Sequence, residues 1–231
     1  MQKIIETIIA YFPRFLRDLA AIFASPKAFI AGKDLDSDAT FADALLFCAT
    51  CAVVPVIVSV LHTNSGEKDT FIKYLMSIGM RQFLVLIFAG GAVWLSWRIV
   101  RGSASHKAIF TIYIYYSGVY LLLLLAFGLV SGGYLKFMAP ELYSRIRALA
   151  PEIVSRPEQM KEFMEETEIA IAAYITISGW FCCFIWSIVS WGAYRRASNS
   201  SLTRSVLAFS ISTILLVPAY FIVGLMLSEL K

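Results

Sequence analysis

Apolar and polar positions in this chain are arranged in long blocks rather than alternating over short distances. Measured from one acidic or basic residue to the next, charge-free stretches occupy 44–66, 82–97, 108–135, 169–194 and 205–228, more than half of the sequence. A helix crosses a bilayer core with about 20 apolar residues at about 1.5 Å each. A soluble core does not need runs of that length. The pattern predicts an all-α, polytopic membrane protein: a bundle of five transmembrane helices over about 41–61, 82–100, 108–131, 169–193 and 205–227.

Outside these blocks the spacing changes. Ile4, Ile8, Tyr11, Phe12, Phe15, Leu19, Ile22 and Phe23 recur three and four residues apart, which predicts an amphipathic helix over 3–24 with Lys3, Glu6, Arg14, Arg17 and Asp18 largely off that face. Pro13 should bend or split it. The stretch is too charged to span, and its apolar face with basic flanks suits the headgroup layer, with Phe12, Phe15, Arg14 and Arg17 at the membrane surface. The same face would equally suit packing against the protein's own bundle. Ser25 to Phe29 reads as a break. Residues 1–39 thus form an N-terminal interfacial segment, and 40–231 the five-helix domain. Thr40 and Asp43 have capping spacing for the first span. The long polar loop 133–168 predicts two short helices, one carrying Leu142, Ile146 and Leu149, the next opening at Ser155-Arg156-Pro157-Glu158.

Composition sharpens this picture. Hydrophobic residues make up 59% and charged residues 16%, with a mean hydropathy of +0.73, against roughly 45–50% and about 25% in soluble domains. A soluble enzyme, a disordered chain, a secreted disulfide scaffold and a nucleic-acid module are excluded. Net charge is +4, but its distribution matters more than its sum. Segments 1–40, 98–107 and 195–204 hold eleven of the basic residues and the remaining segments nine. Both short turns carry three bases and no acid, whereas the long loop is acidic. The bias predicts a cytoplasmic N-terminus and an external C-terminus. Met1 to Glu6 lacks the form of a signal peptide, so the N-terminus is expected to be retained.

Candidate chemistry is thin. Asp34, Asp36 and Asp38 have the spacing of a calcium loop, but Ala39 and Leu45 stand where such a loop needs Gly and Glu. Cys48 and Cys51 form a C-x-x-C inside a predicted span, where a thiolate is costly, so they read as small packing residues, as do Cys182 and Cys183. Glu165-Glu166 precedes a span as in CAAX-type intramembrane proteases, but Ala170 replaces the arginine that family requires, and no histidine follows His106. His62 and His106 read as interfacial residues. Neither a catalytic residue, a metal site nor a cofactor is expected, and an enzyme would need Glu162, Glu165 and Glu166 to converge on a metal. The spans carry no ionisable residue near their centres, which lowers ion-coupled transport. Gly90-Gly91 and Gly128-x-x-x-Gly132 are candidate helix-packing sites. Pro55 and Pro218 are candidate kinks, which leaves open a permease or lipid-transport component with a cavity between spans one and five.

Ser25-Pro26-Lys27-Ala28-Phe29, the five spans and the basic turn before an aromatic third span together resemble the Yip1 domain family, in its small bacterial form. Tyr115-Tyr116-Ser117-Gly118-Val119 lies where that family often has Gly-Tyr-x-x-x-Pro, here without the proline. The resemblance implies a non-enzymatic integral membrane protein. The chain is expected to lie in a bacterial inner membrane and to act through contacts with the bilayer, with other membrane proteins or with copies of itself, organising the membrane or serving as an accessory subunit. The Asp-Leu-Tyr-Gly-Pro signature of the eukaryotic trafficking members is missing, so their contacts with Rab GTPases are not implied.

Overall fold

The computed structural model describes the backbone of residues 2–63, 68–149 and 166–228. It is all-helical there, with no strand among the described residues. The helices are α1 (Gln2–Ala24), α2 (Pro26–Ala31), α3 (Asp38–Thr63), α4 (Lys68–Ile99), α5 (His106–Met138), α6 (Pro140–Leu149), α7 (Thr167–Ala197) and α8 (Leu202–Ser228). Among the described residues, four segments are long and apolar enough to cross a membrane: Gly79–Ile99 of α4 and Leu202–Met226 of α8, with the whole of α5 and α7. Their apolar side chains largely face outward. Ile214, Val217 and Phe221 on α8, and Tyr174, Ile177 and Phe181 on α7, are each more than 60% exposed. In water such surfaces would drive aggregation. In lipid they need no cover. The chain is therefore built as a multi-pass membrane protein.

Two compact units form: residues 1–122 with 187–231, and residues 123–186. In the first, α4 packs along α8, and α3 packs on α4 and α1. Its core is aromatic and small at once: Phe47, Ile109, Ile112, Tyr115 and Val119 are fully buried. A Cβ on Gly118 would stand 3.1 Å from both Cys51 Sγ and Phe47 Cε1, so α3 and α5 meet closely at that glycine. In the second unit, the second half of α5 packs on the first half of α7. There a Cβ on Gly179 would lie 2.6 Å from Phe127 Cβ. Ser131 Oγ donates to the Ala172 carbonyl at 3.0 Å, and Thr176 Oγ1 reaches both that carbonyl and Ser131.

Several local expectations are corrected. Pro13 does not split α1, which runs unbroken to Ala24; the proline is exposed, and the one amide it removes is the local cost. Asp18 lies on the buried face of α1 with Tyr11, Phe15 and Ile22, because Lys33 and Arg17 approach it at 3.8 Å. The break expected over Ser25 to Phe29 is confined to Ser25, which is extended; Pro26 then opens α2, where its fixed φ and missing N–H are favourable. The cap of α3 is Ser37, whose Oγ accepts from the Ala39 amide at 3.2 Å. Thr40 already lies inside that helix, and Asp43 is engaged by Arg14. α5 continues past Gly132 to Met138. The loop's first short helix is α6, with Leu142 buried. The helix expected from Ser155 lies outside the described residues.

Candidate interaction site at the helix turns

The segment between α1 and α3 is tied down residue by residue. Pro26 is buried, and its carbonyl accepts from the Tyr116 hydroxyl at 3.1 Å. The Lys27 stem crosses α7 at Gly192, where a Cβ would stand 2.2 Å from Cε. Phe29 meets Tyr115 edge-on, with ring centroids 5.1 Å apart. Lys33 places its amine 4.4 Å from the Phe29 centroid and 5.0 Å from that of Tyr115, while facing Asp18. Both rings offer a negative face to the cation. The three aspartates of the linker then divide their work. Asp34 Oδ1 accepts from the Asp36 amide, Asp36 accepts from Ser105 Oγ, and Asp38 pairs with Lys107. The Lys107 hydrogen bond holds the Asp38 carboxyl below its ordinary range. The calcium-like spacing thus serves α5. Among the described residues no cluster of His, Cys, Asp and Glu could hold a metal.

α1 adds a polar patch that is exposed at Arg14 and buried at Tyr11 and Asp18. Arg14 pairs with Asp43 on α3, and Phe15 packs on Phe47 at 5.2 Å. Burial, then the nearby Asp18 carboxylate, pushes the Tyr11 phenol up to about 12. Its hydroxyl, like Asp18 Oδ2 and the Tyr115 hydroxyl, has no hydrogen-bond partner among the described residues.

The two hairpin turns share one design. α4 ends with Gly102 N–H donating to the Trp97 carbonyl and Arg101 N–H to that of Arg98. α7 ends with Ser200 N–H donating to the Arg195 carbonyl and Asn199 N–H to that of Arg196. Each is a Schellman motif, and each puts a non-glycine residue in the left-handed region: Arg101 at φ 59° and Asn199 at φ 44°. The turns bind each other. The Ser198 carbonyl, which α7 leaves unpaired, accepts from both the Ser103 amide at 3.3 Å and Ser103 Oγ at 2.8 Å. Behind this junction Trp97 stacks on Trp191 at 5.5 Å, and Trp191 Nε1 donates to the Ser205 carbonyl. Of the segments assigned to one side by charge alone, 98–107 meets 195–204 through Ser103 and Ser198, and meets 1–40 through Ser105 with Asp36 and Lys107 with Asp38.

The sequence-selected residues are distributed as follows. A Cβ on Gly90 would stand 3.0 Å from Phe110 and 3.2 Å from Tyr113, whereas nothing lies within 4 Å of one on Gly91, Gly128 or Gly132. Phe15 is buried, Phe12 is 46% exposed, and Arg17 projects outward beside Asp18. Pro218 sits exposed inside α8. The Pro55 side chain lies outside the described residues, as do those of His62 and Glu165. Cys48 and Cys51 are free and buried; Cys48 Sγ lies 3.6 Å from Ser117 Oγ and from Gln82 Nε2. Sequence reasoning missed Gly118, Gly179 and Gly192, and no local spacing marks them. Comparison of the chain with protein-family models, curated proteins and solved structures finds no match.

Proposed function

We propose that this chain is a non-enzymatic integral membrane protein that works through helix–helix and protein–protein contacts, similar in kind to the Yip1 domain family. In this reading α3 is a fifth span, α1 lies in the headgroup layer with Phe12, Leu16 and Phe23 toward lipid, and the N-terminus is cytoplasmic in a bacterial inner membrane. Its partners are the bilayer and other membrane proteins, a second copy among them. The observation that carries the reading is the free glycine face of α5. Gly128 and Gly132 have no neighbour within 4 Å of a Cβ position, and Leu129 and Val130 beside them are exposed. Small residues on an exposed helix face allow a second helix to approach closely.

The test is self-association in mild detergent and in membranes. Gly128→Leu with Gly132→Leu, and separately Gly91→Leu, should reduce the cross-linked species and the native mass while leaving the folded chain intact. Unchanged cross-linking in both variants would count against the reading.

A further inference from the structure

The paired turns carry five arginines, Arg98, Arg101, Arg195, Arg196 and Arg204, and no acid. All five are exposed, and none has an ion-pair partner among the described residues. Neighbouring cations are spent differently: Lys107 on Asp38 and Lys33 on Asp18. The Ser103–Ser198 junction draws the two caps together, so arginines from α4 and α7 share one surface. Two helices also begin here, α5 and α8, neither with an acid in its first turn. At α5 the linker aspartates take up Ser105 and Lys107. At α8 the first turn carries only Arg204 and the neutral Ser201 hydroxyl accepts from the Arg204 amide, so no acidic residue of that turn offsets the positive end of the helix. Arg101 adds a separate indication. It occupies a left-handed position that glycine would fill without strain, although Gly102 is next to it.

We infer that the paired turns bind the phosphodiester headgroups of anionic phospholipids from the adjoining leaflet. The helices that carry these arginines are apolar membrane spans, so lipid phosphate is the anion met at the level of their ends. Guanidinium forks match phosphate oxygens in pairs. The exposed Thr203 hydroxyl lies in the same turn as Arg204 and adds a neutral donor there. The inference goes beyond the contact function above and does not need it.

The full chain, purified in a mild non-ionic detergent, is incubated with phosphatidylglycerol or phosphatidylcholine of identical acyl chains, and retained lipids are counted by native mass spectrometry. Phosphatidylglycerol should be retained about tenfold better. R195Q/R196Q/R204Q should abolish that preference. Arg81→Gln, about 25 Å away along α4, should keep it. Should the triple variant fail to elute as a single helical species, R101Q and R196Q, made singly, should each lower retention severalfold. Equal retention of the two lipids by the unmodified chain overturns the inference, as does a folded triple variant that keeps the preference. Displacement of phosphatidylglycerol by millimolar inorganic phosphate also overturns it, by assigning the surface to the free anion.

Discussion

Residues 1–122 with 187–231 add named polar bonds between elements distant in sequence to a closely packed core, whereas residues 123–186 are held mainly by shape. In the first unit Ser103 meets Ser198, Tyr116 meets the Pro26 carbonyl, Lys107 meets Asp38 and Arg14 meets Asp43. In the second, Gly179 receives Phe127, and one hydroxyl pair bridges the helices near Ser131. The difference follows from the backbone. Where helices end and the linker begins, amides and carbonyls lack intrahelical partners, and the chain supplies them from its turns. Along a span the backbone is already satisfied, and only the closeness of two surfaces is left to optimise.

The largest effect should come from attacking shape. Gly179→Leu forces Phe127 Cβ and Cγ away from 2.6 and 2.7 Å, and neither atom is a flexible end. A loss of about 3 kcal/mol is expected, read by thermal unfolding in detergent, with Gly118→Leu nearly as costly. Gly128→Leu, with open space around it, should leave the melting of the isolated chain unchanged. If all three melt alike, the two units are not held as described.

Attacking polarity should cost less. Asp18→Asn removes the carboxylate facing Lys33 and should destabilise the chain by about 2 kcal/mol, less than for a fully enclosed pair because Lys33 keeps some access to water. Faster amide exchange in α1 should accompany it. Ser103→Ala deletes one hydrogen bond to the Ser198 carbonyl and should cost about 1 kcal/mol, without changing melting of any contact in residues 123–186.

The smallest effect is a pH response of the linker. Asp38 is held below its ordinary value in the folded chain by Lys107. Its contribution is therefore fully present above the ordinary carboxylate value and is lost as pH falls through the lowered one. Spin labels at Ala39 and Ala104 should move apart across that acid window, and Asp38→Asn should make their separation indifferent to pH there. Retention of the acid-dependent change in Asp38→Asn would locate the sensor elsewhere.

Much of the helical layout is legible in the sequence because charge bounds the apolar stretch of each span, even where the helix itself runs on through it, as α4 does at Arg81. Four of the predicted spans coincide with long apolar helices of the structure. The glycines were not legible in the same way. Gly90-Gly91 and Gly128-x-x-x-Gly132 attract notice by their spacing, yet the tight contacts fall at Gly118, Gly179 and Gly192 as well as Gly90. A glycine's role depends on what stands opposite, and that is set by partners tens of residues away. The same holds for Ser103 and Ser198, 95 positions apart, and for Asp18, which faces a lysine from the linker after α2. The linker aspartates were legible as a group, but their partners were not.

One carbonyl, that of Ser198, receives two bonds from the facing turn. The C-terminal ends of α4 and α7 are thereby joined at two levels, by the serines in the turns and by the Trp97–Trp191 stack behind them. Two helix ends held at two levels resist twisting as well as separation. What looks like one small polar bond in a loop therefore helps to fix the angle at which these two ends meet.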